Sequence, residues 1–136
     1  MSKNVLITGA GSGFGKLAAL ALAEGGHHVI ATTETEQQAS ELKAEAPQLT
    51  VIKLDITSGD VNKVHDYEVD VLINNAGYGL LAALEESTDE QFGRNLETNF
   101  TGPFRLIRAA LPIMRAQKHG RVISLSAIAA LSLIHI

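Results

Sequence analysis

The chain contains no cysteine and no tryptophan among its 136 residues. Without thiols it has no disulfide framework, no thiolate nucleophile and no cysteine metal site, which suits a reducing compartment. It also lacks a basic block. Its 11 Lys and Arg against 15 Asp and Glu give a formal net charge of -4, spread along the chain, and that distribution argues against a nucleic-acid surface or an anionic-membrane patch. A long apolar run is missing too. The opening MSKNVLITGAG has one lysine and a three-residue apolar stretch before Thr8 and Gly9, far short of a secretory signal or a membrane span. No repeat and no low-complexity tract interrupts the sequence. These absences predict a single cytoplasmic domain with no nucleic-acid or membrane partner.

What is present is 46% hydrophobic and regularly alternating. Short β-branched runs stand at NVLIT (4–8), HVIAT (28–32), TVIKL (50–54), VDVLIN (69–74) and RVISL (121–125). Between them lie helical stretches at 13–24, stopped by Gly25 and Gly26, at 36–46, stopped by Pro47, a short one after Ser58, and a long one over 88–118. Strands too apolar to have a wet face, each separated by a helix, predict a parallel sheet covered on both sides. The expected fold is doubly wound α/β, a Rossmann-type sheet truncated after the fifth strand.

In such a sheet ligands sit beyond the carboxyl ends of the strands, near the point where strand order reverses. The segment after the first strand, TGAGSGFG (8–15), carries four glycines where the backbone turns and approaches a ligand without a Cβ in the way. The helix that follows presents free N–H groups and a positive dipole end, which suits a pyrophosphate. Spacing narrows the class. The fingerprint G-x-G-x-x-G fails from Gly9, where Phe14 takes the last position, and from Gly11, where Lys16 does. A P-loop fails for want of Gly-Lys-Ser/Thr. What stands is T-G-x-x-x-G-x-G, from Thr8, Gly9, Gly13 and Gly15. Asp55 follows the third strand, NNAG (74–77) follows the fourth, and Asn99 lies in ETNFTG (97–102).

These four motifs, in this order, resemble those of the short-chain dehydrogenase/reductase family. The resemblance implies an oxidoreductase that transfers hydride between a nicotinamide cofactor and an alcohol or carbonyl substrate. It implies cofactor contacts at Gly9, Gly11, Ser12, Gly13, Phe14 and Gly15 in the loop, at Asp55 and Ile56 around the adenine, and at Asn75, Ala76 and Gly77. The alternative for Asp55 is a helix cap. At the end of the second strand, Thr33 and Glu34 stand where the adenosine ribose is read. Glu34 lies 19 positions after Gly15 and neither Thr33 nor Ser12 brings positive charge, so NAD is expected rather than NADP, although Glu34 can also serve as an acidic opening to the second helix.

The resemblance also assigns catalytic places. Phe92, Leu96, Pro103, Ile107, Leu111 and Met114 recur at three- and four-residue steps, which predicts a buried stripe that includes Asn99. Pro103 has no N–H for the Asn99 carbonyl, and in family members that carbonyl binds a water linked to the active-site lysine. The alternative is a proline kink with a polar residue fitted into it. The family's acid/base, a Tyr with a Lys four residues on, has no counterpart. Tyr67 is followed at that spacing by Val71 and Tyr78 by Ala82. The strand-five pattern ends in two small polar residues, of which the second orients substrate. Here the first falls on Ser126 and the second on Ala127. The chain therefore reads as an inactive amino-terminal piece of 1–130 followed by a non-native tail, LSLIHI (131–136), with the whole protein expected to be a homo-oligomer. A dinucleotide-binding sensor without catalysis is the competing reading. The histidines lack metal-site spacing and read as surface or turn residues.

Overall fold

The computed structural model describes residues 1–127; the expected tail at 131–136 lies outside them. Five parallel strands form one sheet in the order β3-β2-β1-β4-β5. They are β1 (Asn4–Ile7), β2 (His28–Thr33), β3 (Thr50–Lys53), β4 (Val71–Asn74) and β5 (Arg121–Ser124). Strand order reverses at β1, which has β2 on one side and β4 on the other, with Leu6 in register with both Ile30 and Leu72.

Alternation along the strands builds two cores, because successive side chains point to opposite faces. On one face Leu6, Ile30 and Leu72 pack with Leu106, Ala110 and Met114 of the fourth helix and with Val61 and Val64. On the other Ile7, Val29 and Ala31 pack with Ala19, Ala39 and Leu42 of the first two helices. The doubly wound reading of the sequence is thus the observed fold.

Helix α1 (Gly13–Glu24) and α2 (Glu36–Glu45) cover the second face. Thr35 caps α2 through a reciprocal box with Gln38. The segment after Ser58 is a 3₁₀ helix, Gly59–Asp66, capped by the Ser58 hydroxyl.

The long helix differs from the sequence expectation. Helix α3 (Asp89–Leu96) passes into a π-helical turn, Glu97–Thr101, and then into α4 (Gly102–Gln117). A π turn adds a residue to the winding, so the three- and four-residue stripe read from the sequence does not stay on one face. The buried row is Gly102, Leu106, Ala110 and Met114, whereas Phe92 and Leu96 are more than two-fifths exposed and Asn99 faces solvent. The close approach of α4 explains Gly102: a Cβ there would lie 2.8 Å from the carbonyl oxygen of Ile56. That contact brings the loop after β3 beneath the π turn. At the far edge of the sheet, β5 leaves Val122, Ile123 and Leu125 exposed. Among the described residues no helix is long and apolar enough to cross a membrane.

Candidate active site

The glycine loop and NNAG are built as one unit. Thr8, directly after β1, is buried, and its hydroxyl accepts from the backbone N–H groups of Asn75 and Ala76, each at 3.1 Å. The Asn75 amide in return donates to the carbonyls of Thr8 (3.0 Å) and Gly9 (3.2 Å). This is the strand-tying role that the two asparagines suggest in sequence, and Asn74 adds a longer contact of 3.5 Å to the Ser124 hydroxyl on β5.

Two glycines are fixed by this packing. Gly9 takes φ +67° and a Cβ there would lie 2.8 Å from the Ala76 Cα. At Gly15 a Cβ would come within 2.3 Å of both the Asn75 amide nitrogen and the Gly9 carbonyl oxygen. Gly13 is different: it takes φ +55° with nothing within 4 Å, so the space above it is open.

The start of α1 also differs from those of α2 and α3. Ser12 occupies its cap in extended conformation with no side-chain cap hydrogen bond, whereas α3, like α2, is closed by a box, Thr88 with Gln91. The first N–H groups of α1 are therefore left for a ligand.

Asp55 is held on both sides. Its Oδ1 accepts from the N–H (2.9 Å) and hydroxyl (2.7 Å) of Thr57, and its own N–H donates to Asp60 (3.2 Å). The local turn thus uses one carboxylate oxygen, and among the described residues Oδ2 makes no hydrogen bond. The capping role open in the sequence falls to Ser58. Asp60 anchors the arrangement. The Lys53 ammonium hydrogen-bonded to it holds its carboxyl below the ordinary range, and the same bond raises Lys53.

These elements line a cleft of about 290 Å³ that contains Gly9, Gly11, Ser12, Thr33, Glu34, Asp55, Ile56, Asn75, Ala76 and Gly77. Thr33 is buried and its hydroxyl donates to the Thr35 carbonyl, so it shapes the turn. Glu34 is exposed and precedes the cap, so the acidic opening of α2 is supplied by Glu36 instead. Gly13 and Gly15 support the loop without lining this cleft.

Phe14, Asn99 and Ser126 line a wider, open groove of about 1340 Å³ next to it, together with Ala127. The two spaces share Asn75, Ala76, Gly77 and Tyr78. Asn99 makes a two-way bond with Tyr78: its Oδ1 accepts from the Tyr78 N–H at 2.9 Å and its Nδ2 donates to the Tyr78 carbonyl at 2.6 Å. The side chain predicted to sit in a buried stripe is instead what holds the loop after NNAG.

Sequence reasoning did not assign six residues of the cleft: Gln38, Leu54, Thr57, Tyr78, Arg94 and Thr98. Arg94 and Thr98 are one helical turn apart, and that spacing was the available signal. Tyr78 lines the cleft as a loop residue, while Tyr67 packs against the core. Among the described residues no cluster of His, Asp and Glu can hold a metal ion.

An extended cofactor fits what is present: an uncapped helix start, an open Gly13, a carboxylate oxygen without a partner and a groove continuing past NNAG. Comparison with known proteins agrees with this geometry. The sequence profile of the short chain dehydrogenase family matches residues 3–134, and the chain belongs to that family. It is 40% identical over 134 residues to the oxidoreductase claN of Passalora fulva, covering 93% of this chain and 62% of that protein. A short-chain dehydrogenase from Streptomyces avermitilis superposes with a TM-score of 0.83 at 37% identity, over 93% of this chain and 49% of that one. The closed form of a serine dehydrogenase complexed with NADP+ gives a TM-score of 0.88 at 29% identity, over 96% and 56%. The chain spans about half the length of the curated relatives it matches.

Proposed function

We propose that this chain forms the cofactor-binding part of a nicotinamide-dependent oxidoreductase acting on a small alcohol or carbonyl compound. The observation that carries the reading is the continuity of the two spaces over Asn75–Tyr78: a phosphate-suited loop lies at one end, and Asn99 and Ser126 lie along the other. A bound nicotinamide would supply or accept the hydride there. The chain's own residues bind and orient. The α1 N–H groups would meet the diphosphate, Asp55 Oδ2 would accept from the adenine amine, and Asn99 fixes the Tyr78 backbone beside the substrate side.

NAD is the favoured cofactor, because Glu34 lies in the cleft after β2 and would oppose a 2′-phosphate. A cytoplasmic homo-oligomer is part of the same proposal.

Ser126 and Ala127 both reach the substrate groove. Placing the substrate-orienting donor at Ala127 leaves that donor missing, a loss of about 3–4 kcal/mol of transition-state stabilisation. In the full-length protein Ala127→Ser is expected to raise turnover about 100-fold or more. Ser126→Ala abolishing an already fast activity would place the donor at Ser126 instead. Titration calorimetry with ADP-ribose tests the binding reading directly, and absence of binding would overturn it.

A further inference from the structure

The cleft after β1, β2 and β3 contains two carboxylates, Glu34 and Asp55, and one cation, Arg94. An anionic ligand entering it meets two negative side chains, and Arg94 is the positive charge in the lining that can offset them. Arg94 is available in a specific sense. Among the described residues it makes no ion pair, and its guanidinium carbon sits 4.6 Å from the centroid of the Tyr78 ring. A cation–π contact orients a guanidinium without neutralising it, whereas a salt bridge would consume its charge.

Tyr78 is itself fixed. Its carbonyl accepts from Asn95 (2.8 Å) and Asn99 (2.6 Å), and its N–H donates to Asn99 (2.9 Å). Arg94, Asn95 and Asn99 all come from α3 and the π turn, so one helical segment holds both the ring and the cation against it.

We propose that Arg94 is a counter-charge for the phosphates of the dinucleotide, held ready in the cleft mouth by the Tyr78 ring. The proposal rests on the dinucleotide reading above and adds a positioning residue to it. Its chemistry is electrostatic, so it distinguishes charged from uncharged ligands that share the same adenosine.

The test measures the affinity of the full chain for ADP-ribose and for adenosine by calorimetry, at low and high salt. Arg94→Ala is expected to weaken ADP-ribose about five- to tenfold at low salt, with the difference shrinking as salt rises, and to change adenosine affinity less than about twofold. Arg94→Lys is expected to restore most of the ADP-ribose affinity. Equal loss of adenosine and ADP-ribose, or failure of Lys to restore binding, would make Arg94 a packing residue and overturn the proposal. Undiminished ADP-ribose affinity in Arg94→Ala would overturn it as well. Wild-type protein that binds no ADP-ribose would instead remove the dinucleotide reading on which it rests.

Discussion

Thr8 and Asn75, at the ends of two adjacent parallel strands, hold one another reciprocally: the Thr8 hydroxyl accepts from the Asn75 N–H, and the Asn75 amide donates to the Thr8 carbonyl. Either substitution strands a partly buried polar group. Thr8→Val removes the acceptor of two N–H groups at nearly constant shape, and a loss of about 2–3 kcal/mol is expected. Asn75→Asp removes the donors and sets a carboxylate against two carbonyls, with a similar or larger loss. Chemical denaturation of both single variants and the double variant checks this. A coupling near zero in that cycle would mean that the two residues act independently.

Gly13 and Gly15 separate ligand approach from packing. Gly15→Ala is expected to disrupt the loop whether or not ligand is present, because its Cβ would overlap Asn75 and Gly9. Gly13→Ala meets nothing in the chain, so its cost to stability is the left-handed backbone alone, about 1 kcal/mol. On the proposed reading the diphosphate at the start of α1 would pass this open space, so the larger effect is expected on ADP-ribose affinity. Equal affinity in Gly13→Ala would place the ligand elsewhere.

On the proposed reading, Glu34 favours NAD through like-charge repulsion with a 2′-phosphate. Wild-type protein is expected to bind ADP-ribose about tenfold more tightly than its 2′-phosphorylated form, and Glu34→Gln should narrow the gap. Tighter binding of the phosphorylated form by the wild type would remove Glu34 from the ribose site.

Asp70 gives the lower side of the sheet a pH dependence. Its carboxylate accepts from the Asn4 N–H at 2.8 Å and pairs with His119, and these partners, Asn4 first, hold it below the usual carboxylate range. A carboxyl lowered in the folded state adds stability above its unfolded value, near 3.9, and that stability is lost as the pH falls through and below it. Asp60, lowered by Lys53, acts in the same direction. Asp70→Asn is expected to cost about 1 kcal/mol at neutral pH and to converge with wild type as the pH falls below the unfolded carboxylate value and through the lowered folded one. Denaturation midpoints across that range test it. A constant difference at all pH values would mean that shape rather than charge is lost.

The strand series and the order of the glycine loop, Asp55, NNAG and Asn99 were legible in the sequence because each is a local pattern. β-branched runs report strands, and glycines report places where a backbone must turn. Those patterns determined a doubly wound sheet and the residues around its switch point. The partners were not legible. Asn75 reaches Thr8 across 67 positions of sequence, and Asp55 is anchored by Asp60 in a turn that periodicity does not describe. The π turn at Glu97–Thr101 changed which helix face is buried, since one added residue rotates everything after it. It placed Asn99 against the Tyr78 backbone rather than in a core stripe. Local propensity fixes elements, but which side chains converge depends on how helices are phased against the sheet, and only the tertiary structure decided that.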